Sequence, residues 1–282
     1  MPRQRQPTTS SPAISWTKNP WRRFSRCHLI SAKSLLGESM TNPSTYYRNN
    51  VLGTINLLDA MQAHQAHHFI FSSSAAIFGN PQQEMINEEH PCRPINPYGQ
   101  TKLMVEHILK DYHRAHGIRS VSLRYFNAAG ADPEGELGES HTPESHLIAN
   151  ILKSLLNGNE GLKVFGNTYK TPDGTCIRDY IHINDLCSAH LQALDFLESN
   201  DWAYGFNLGN GNGFSIMEVI AAAEQVTGQT IQFEYAPPRE GDPARLVADS
   251  SVARMLLGWN PRHTGIEEII STAWNWHQKP RY

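Results

Sequence analysis

Apolar residues recur at helical spacing early in the chain, between about Tyr46 and Gln62. The apolar positions of this stretch are Tyr47, Val51, Ile55, Leu58 and Met61. Spacing of three to four residues predicts an amphipathic helix. The next apolar run, His68–Ser72, places apolar residues on both faces, which is typical of a buried strand in a parallel sheet.

A second helical pattern runs from about Tyr98 to His116 and ends at Gly117, a residue type that commonly terminates helices. The apolar run Val121–Tyr125 predicts the next strand. Strand, helix and strand in this order indicate a βαβ unit and therefore an α/β fold.

The pattern changes beyond Asn127, where short apolar runs alternate with loops. A loop rich in Gly, Pro and Glu occupies 130–143. The predicted helices lie near 147–156, 185–197, 215–226, 250–257 and 265–277, and the predicted strands near 163–165, 180–182 and 231–235. We interpret this half as a smaller substrate-binding lobe laid over the strand ends.

Composition and charge exclude several functional classes. The 282 residues carry 24 Lys and Arg against 27 Asp and Glu, so no basic surface of the nucleic-acid type is predicted. No apolar run approaches the ~20 residues that cross a bilayer. The four cysteines, Cys27, Cys92, Cys176 and Cys187, lie far apart without a C-x-x-C pair. We therefore expect free thiols and a cytoplasmic location.

The first residues differ in character from the rest. Met1–Gly37 contains no acidic residue, and prolines interrupt its beginning. We predict that 1–27 is a disordered or non-native leader. An Arg- and Ser-rich start can also be an organellar transit peptide, but the prolines oppose the helix that such peptides form.

One short pattern carries candidate chemistry. Tyr98 and Lys102 lie at i and i+4 in the predicted helix, so both side chains share one face. An ammonium beside a phenol lowers the pKa of the phenol and makes it a better base. Ser74 follows the strand His68–Ser72, at the sheet edge where α/β folds bind ligands. Surface helices also pair Tyr with Lys, and serines also cap strand ends, so this pattern alone leaves both interpretations open.

Several longer motifs occur in a fixed order. They are His68-Phe-Ile-Phe-Ser-Ser-Ser-Ala-Ala-Ile-Phe-Gly79, Asn96-Pro-Tyr-Gly-Gln-Thr-Lys102, Leu123-Arg-Tyr-Phe-Asn-Ala-Ala-Gly130, Asp173-Gly-Thr-Cys-Ile-Arg-Asp-Tyr-Ile-His182, the stretch from Phe206 to Gly213, and Arg239-Glu-Gly-Asp-Pro243. In order and spacing they resemble the UDP-glucose 4-epimerase (galactose epimerase) family of the extended short-chain dehydrogenase/reductase class. The resemblance covers roughly 28–280.

The resemblance implies a fold and a division of the chain. It implies an α/β fold with a Rossmann-like, doubly wound parallel sheet that lacks its first βαβ elements, together with a smaller mixed α/β substrate lobe. Residues 28–127 would form a partial NAD-binding domain. Residues 128–282 would form mainly the UDP-sugar lobe, with segments returning to the first domain.

The resemblance also implies roles for individual residues. Ser74, Tyr98 and Lys102 match the catalytic residues, and Tyr98 would take the proton of the sugar 4-hydroxyl while hydride passes from C4 to tightly bound NAD. The 4-keto sugar would then turn over and regain hydride on its other face. Asn49 and Phe126 match further cofactor contacts.

On the substrate side, Asn127, Arg178, Arg239 and Asp242 match residues that hold UDP. The two arginines suit a pyrophosphate through charge-assisted hydrogen bonds, although surface ion pairs would look the same in the sequence. Leu246 stands where the family controls sugar size and leaves the tolerance of N-acetylated sugars open. Another UDP-sugar 4-epimerase, acting on UDP-N-acetylglucosamine or UDP-arabinose, is an alternative. A homodimer is implied through the helices at 46–62 and 98–116.

Some features depart from the family pattern or from related activities. The family begins with a strand and a G-x-x-G-x-x-G turn that binds the pyrophosphate of NAD, but Met1–Cys27 contains no glycine. We therefore expect an N-terminally truncated epimerase, and an inactive remnant unable to bind NAD is the alternative. The glycines of 209–213 match an ordinary loop of the lobe, so we reject them as a dinucleotide site.

Two further possibilities are set aside. Sugar-nucleotide dehydratases carry acidic residues after the active-site Thr, whereas Ala75 and Ala76 follow Ser74 here. Among the 14 histidines, the pairs His64–His68 and His113–His116 lie near predicted helix ends without acidic or Cys partners. No metal site is predicted from them.

Overall fold

The structure is a computed structural model that describes residues 32–159, 161–239 and 242–282. The predicted leader at 1–27 lies outside the described residues. The first helical segment consists of α1 (Leu36–Thr41), α2 (Pro43–Tyr46), a π-helical turn (Tyr47–Leu52) and α3 (Gly53–Ala63). The helix predicted near 46–62 is therefore present, and it contains a π-helical turn that its apolar spacing did not predict.

The π-helical turn carries a buried polar side chain. Asn50 lies in it and is 4% exposed. Its Nδ2 donates to Thr101 Oγ1 at 3.1 Å and to the Lys33 backbone oxygen at 3.0 Å. This amide therefore ties the first helices to the helix that contains Thr101.

A parallel three-stranded sheet forms the centre of the fold. Its strands are β1 (His68–Ser72), β2 (Arg119–Tyr125) and β7 (Ala203–Leu208), in the order β1-β2-β7. Ser72 of β1 aligns with Leu123 of β2, and Leu123 aligns with Phe206 of β7. The carboxyl ends of the strands therefore meet at one edge, where open α/β sheets bind ligands.

The helix α4 (Pro97–His116) connects β1 to β2, so the predicted βαβ unit is confirmed. Its start is fixed by Asn96, whose Oδ1 accepts from Gly99 N at 2.8 Å, and by Pro97 at the first helical position. Its end is fixed by Gly117, which adopts φ 68°, a left-handed conformation that favours glycine. Leu58, Phe71, Val105, Leu109 and Ile118 are buried between α3, α4 and β1.

The second half builds small sheets and helices around two cores. Its strands are β3 (Asn127–Ala129), β4 (Leu162–Phe165), β5 (Ile177–Arg178), β6 (Tyr180–His182), β8 (Phe214–Ser215), β9 (Phe233–Ala236) and β10 (Arg245–Leu246). Its helices are α5 (Leu147–Leu156), α6 (Ile183–Ser199), α7 (Ile216–Thr227), α8 (Ser251–Leu257) and α9 (Ile266–Gln278). The small sheets have the orders β10-β5-β8, β3-β6 and β4-β9.

One core lies within this half and the other joins it to the central sheet. Apolar side chains of α5, α7 and α9 pack together with those of β4. A second cluster buries Val121 and Phe206 of the central sheet against Ala189 and Ala193 of α6 and Trp259. The α/β class with a parallel sheet is therefore confirmed. The division at residue 128 stays a prediction.

No described helix combines the length and the apolar character that spanning a bilayer requires.

Gly99 fixes how closely α4 approaches the turn after β1. A Cβ placed on Gly99 would lie 2.3 Å from the Ala76 backbone oxygen. Gly53 is also helical, with φ −59° and ψ −40°, but the nearest described atom to its Cβ position is the Arg48 oxygen at 3.9 Å. We expect Gly99→Ala to lower the free energy of unfolding by about 1–3 kcal/mol.

The matched variant Gly53→Ala should instead raise the free energy of unfolding by about 0.5–1 kcal/mol, because alanine loses less backbone entropy in a helix. Urea titrations of both variants provide the measurement. Equal effects of the two substitutions would show that the close approach at Gly99 does not constrain the fold.

Candidate functional site

The three candidate catalytic residues meet at the carboxyl end of β1. Ser74 lies just beyond the strand, and α4 places Tyr98 and Lys102 on its buried face. The Ser74 side chain lies close enough to the Tyr98 phenol to lower its pKa, and Ser74 Oγ accepts from Ala76 N at 3.2 Å. Lys102 Nζ lies 5.6 Å from the centre of the Tyr98 ring. The structure therefore brings all three together.

Burial governs the ionisation of Tyr98 and Lys102. Burial raises the pKa of the Tyr98 phenol to about 12, although the Ser74 side chain acts in the opposite direction. Burial lowers the pKa of the Lys102 ammonium to about 8. The sequence led us to expect a lowered pKa for Tyr98, whereas burial raises it here, and Lys102 Nζ donates to the Ser72 backbone oxygen at 2.8 Å. Tyr98 is therefore a neutral phenol at pH 7.

A buried ion pair behind the site was missed in the sequence. Glu106, one turn after Lys102, receives Arg124 Nε at 3.0 Å and a second guanidinium nitrogen at 2.6 Å. Ser73 Oγ donates to the same carboxylate at 2.6 Å. A Cβ on Gly205 would lie 2.8 Å from the Arg124 guanidinium, so the glycine in β7 leaves room for it. This network joins α4 to β1 and β2 directly beside Ser74.

The remaining candidate cofactor residues, Phe126 and Asn49, lie on different elements of the fold. Phe126 follows β2 and packs against the buried cluster of Ala75, Ile77, Phe78 and Ile86, and so does Leu246. Asn49 is exposed on the π-helical turn, where its Oδ1 accepts from Lys33 N at 3.2 Å.

Two of the candidate UDP residues, Arg239 and Asp242, lie at a cavity of the second half. This cavity of about 490 Å³ is lined by Lys153, Phe165, Arg239 and Asp242 among others. Arg178 forms a salt bridge with Asp242, and Arg239 lies over the ring of Phe165 at 4.1 Å. Ser74, Tyr98 and Lys102 do not line this cavity. The structure thus groups the arginines with Asp242, apart from the catalytic candidates.

Asp179 organises the loop that carries the late glycines, a role that sequence reasoning missed. Its buried carboxylate accepts from Asn210 N at 2.7 Å and from Gly211 N and Ala248 N at 3.1 Å each. These amides are therefore engaged within the protein. The Asp179 backbone oxygen accepts from Asn127 Nδ2 at 2.9 Å, which fixes that candidate side chain.

Neutralising Glu106 tests the buried network. We expect Glu106→Gln to lower the free energy of unfolding by about 3–5 kcal/mol, because the Arg124 charge would lose its buried partner. The matched control is Asp111→Asn, which removes the exposed Arg114–Asp111 pair at 3.2 Å on the same helix. That substitution should cost less than about 1 kcal/mol. Urea unfolding measures both, and similar small losses would contradict a structural role for Glu106.

Comparison with known proteins identifies relatives of this chain. Residues 24–273 match the sequence profile of a family described as GDP-mannose 4,6 dehydratase. A UDP-glucose 4-epimerase of Halalkalibacterium halodurans is 49% identical over 250 residues, which cover 89% of this chain and 75% of that protein.

Solved structures agree. The UDP-glucose 4-epimerase of Brucella ovis in complex with NAD is similar with a TM-score of 0.85 and 45% identity, covering 88% of this chain and 76% of that one. The enzyme of Bifidobacterium longum in complex with NAD+ and UDP is similar with a TM-score of 0.83 and 38% identity, covering 89% of this chain and 75% of that one. At this level of identity and coverage, the chain belongs to the UDP-glucose 4-epimerase family.

Proposed function

We propose that this protein interconverts UDP-glucose and UDP-galactose by NAD-dependent epimerisation at C4. The observation that carries the proposal is the meeting of Ser74, Tyr98 and Lys102 at the carboxyl end of β1, in a chain whose relatives are UDP-glucose 4-epimerases. A phenol close to a hydroxyl, with an amine nearby, suits the transfer of a proton to or from a sugar hydroxyl.

The donor groups at this centre fit the ribose end of a nicotinamide cofactor. Lys102 is buried and uses one N–H on the Ser72 oxygen, so its ammonium retains donors for ribose hydroxyls. Phe126 lies on the cluster beside Ser74 and would border the nicotinamide. When bound, NAD supplies a hydride acceptor whose nicotinamide ring is positively charged in the oxidised state.

Each residue of the centre would then act on the sugar 4-oxygen. Ser74 would hold this oxygen by a hydrogen bond. Tyr98 would receive its proton in one direction and return it in the other. Because burial raises the pKa of Tyr98 to about 12, its active ionised form requires additional positive charge near the phenol. Lys102 would position the ribose and contribute part of that charge.

The lobe cavity would hold the nucleotide. Arg239 and Lys153 line it and offer positive charge to a pyrophosphate, and Phe165 offers an apolar ring surface. The salt bridge from Arg178 to Asp242 holds the Asp242 carboxylate in place, where it could accept from ribose hydroxyls. Asn127, fixed by the Asp179 oxygen, would add a further contact.

We expect the residue at position 246 to influence which sugar pair is used. The Leu246 side chain is half-buried and, like Phe126, packs on the cluster that follows Ser74. Its intermediate size favours hexoses such as glucose and galactose, while UDP-N-acetylglucosamine and UDP-arabinose are the alternative substrates. Competition assays with these nucleotides would rank them.

Tyr98→Phe tests the proposed chemistry. We expect turnover of UDP-galactose to fall by a factor of about 10²–10⁴, because the proton carrier is removed while the ring remains. The control Tyr112→Phe removes an exposed phenol on the same helix, bonded to Asp59 Oδ1 at 2.5 Å, and should leave turnover unchanged. Undiminished turnover in Tyr98→Phe would refute the assignment.

A second candidate function is a catalytically silent UDP-sugar binder. It is favoured by the cavity that Lys153, Arg239 and Asp242 line, which Ser74, Tyr98 and Lys102 do not line and which could bind a nucleotide without catalysis. Nicotinamide released from the denatured protein distinguishes the two. One equivalent supports the epimerase, whereas none, combined with retained UDP binding, supports the silent binder.

We also propose a homodimer formed through the segment at 46–62 and α4. Leu52 on this segment is 48% exposed, and Met40 nearby in the sequence is 62% exposed. Exposed apolar groups of this kind are typical of association surfaces.

Light scattering tests the dimer. The protein should show twice the mass of the 31.7 kDa chain. Leu52→Glu should shift it toward the monomer, whereas Met255→Glu, at a 73% exposed position on α8, should not. A monomeric mass for the unaltered protein would overturn the proposal.

We propose a cytoplasmic location, as the free thiols suggest. Cys92, Cys176 and Cys187 are unpaired in the described part of the chain, and Cys187 is exposed. An exposed free thiol persists best in a reducing compartment.

A further inference from the structure

A short segment before α5 concentrates metal-binding side chains. Glu139, His141, Glu144 and His146 each offer one ligand atom, and these four atoms all lie within 4.8 Å of one another. The sequence pattern is Glu-x-His-x-x-Glu-x-His. None of these side chains belongs to the proposed catalytic or nucleotide-binding groups.

The two imidazoles converge on a single carboxylate oxygen. His141 Nδ1 lies 2.8 Å from Glu139 Oε1, and His146 Nδ1 contacts the same oxygen. Glu144 Oε1 lies 4.0 Å from His146 Nδ1. In a tetrahedral zinc site, with bonds of about 2.0–2.1 Å, neighbouring ligand atoms are about 3.4 Å apart. Modest movements of these side chains would therefore complete such a site.

Residues near the C-terminus fix the position of this segment by hydrogen bonds and packing. The Glu139 backbone oxygen accepts from Trp276 Nε1 at 3.0 Å, and the Gly138 oxygen accepts from Tyr282 Oη at 2.7 Å. A Cβ on Gly138 would lie 2.2 Å from the Trp276 indole, so the loop packs directly on that ring. The position of Glu139 is therefore fixed without a metal.

The charged groups around the cluster are compatible with the binding of one cation. Glu144 Oε2 pairs with Lys153 Nζ at 2.9 Å, while Glu144 Oε1 faces the cluster and accepts from the amides of Ser145 and His146. Glu139 has no lysine or arginine partner among the described ion pairs. The imidazoles are more than half exposed, which gives an ion a path from solvent.

We propose that Glu139, His141, Glu144 and His146 bind one divalent transition-metal ion of the zinc type. Two imidazole nitrogens with two carboxylate oxygens match the donors that zinc accepts, whereas magnesium and calcium prefer oxygen ligands alone. The ion has a structural role. It fixes the segment that leads into α5. Ser145 of this segment and Leu147, the first residue of α5, line the lobe cavity.

Zinc titration of the tag-free full-length protein tests the proposal. We expect calorimetry to give one Zn²⁺ per chain, and Co²⁺ to give the visible absorption of a tetrahedral complex. His141→Ala and Glu139→Gln should each weaken Zn²⁺ binding at least tenfold. The matched control His64→Ala removes another exposed histidine at the end of α3 and should leave binding unchanged.

The metal's effect on unfolding separates a folding defect from a loss of ligands. Zn²⁺ should raise the melting temperature of the unaltered protein and of His64→Ala, but not that of His141→Ala. Metal-free melting temperatures show whether the variants fold. No binding at Zn²⁺ concentrations up to about 0.1 mM would overturn the proposal, as would equal binding by His141→Ala. In either case the cluster would be only a set of His–Glu ion pairs.

Discussion

The buried carboxylate of Glu106 makes the contact on which the arrangement of the candidate site depends. It binds Arg124 of β2 through both of its oxygens and receives Ser73 Oγ at 2.6 Å. A helix packed on a sheet by apolar contacts alone can slide or rotate at small cost, because those contacts are not directional. A bidentate pair in a buried position fixes the register of α4 against the strands. Since Tyr98 and Lys102 lie on that helix, this pair determines where they meet Ser74.

The burial that orders the centre also shifts the pKa of both of its titratable groups. Burial raises the pKa of Tyr98 to about 12 and lowers that of Lys102 to about 8. The protein on its own therefore holds an un-ionised phenol beside an ammonium group that loses its proton more readily than an exposed lysine does. An ionised phenol at this position would require positive charge near it. If Tyr98 carries the proton as proposed, a positively charged nicotinamide ring beside it would favour that form together with Lys102.

The sequence predicted those elements whose own residues contain complete signals. β1 is a continuous apolar run, α4 has Asn96 and Pro97 at its start and Gly117 at its end, and α5 was placed at its observed bounds. β7 was not predicted, because Gly205 and Asn207 interrupt its apolar residues. Gly205 is needed to accommodate Arg124, a contact from a distant strand that local spacing does not contain.

The candidate site also has features that the sequence could predict and features that it could not. The meeting of Ser74 with Tyr98 follows from the strand end and the helix start, so the sequence could predict it. The direction of the pKa shift of Tyr98 could not be predicted, because it depends on how deeply the side chain is buried. Glu106 gave no signal, since a glutamate one turn after Lys102 normally lies on a solvated helix face. The residues of the cluster at 139–146 form a local pattern, but they lie in a loop, where sequence spacing does not determine which side chains meet.

Asp179 connects the candidate nucleotide residues with the candidate residues near Ser74, which do not line the same cavity. Its backbone oxygen fixes Asn127, which follows Phe126, and its carboxylate accepts amides from the loop after β7 and from Ala248, two residues beyond Leu246. Burial raises the pKa of this carboxyl to about 6, while its three amide donors act in the opposite direction. Residues assigned to the nucleotide and to the sugar therefore share one buried anchor. A substrate that contacts both groups of residues would be held by elements whose spacing is already set before it binds.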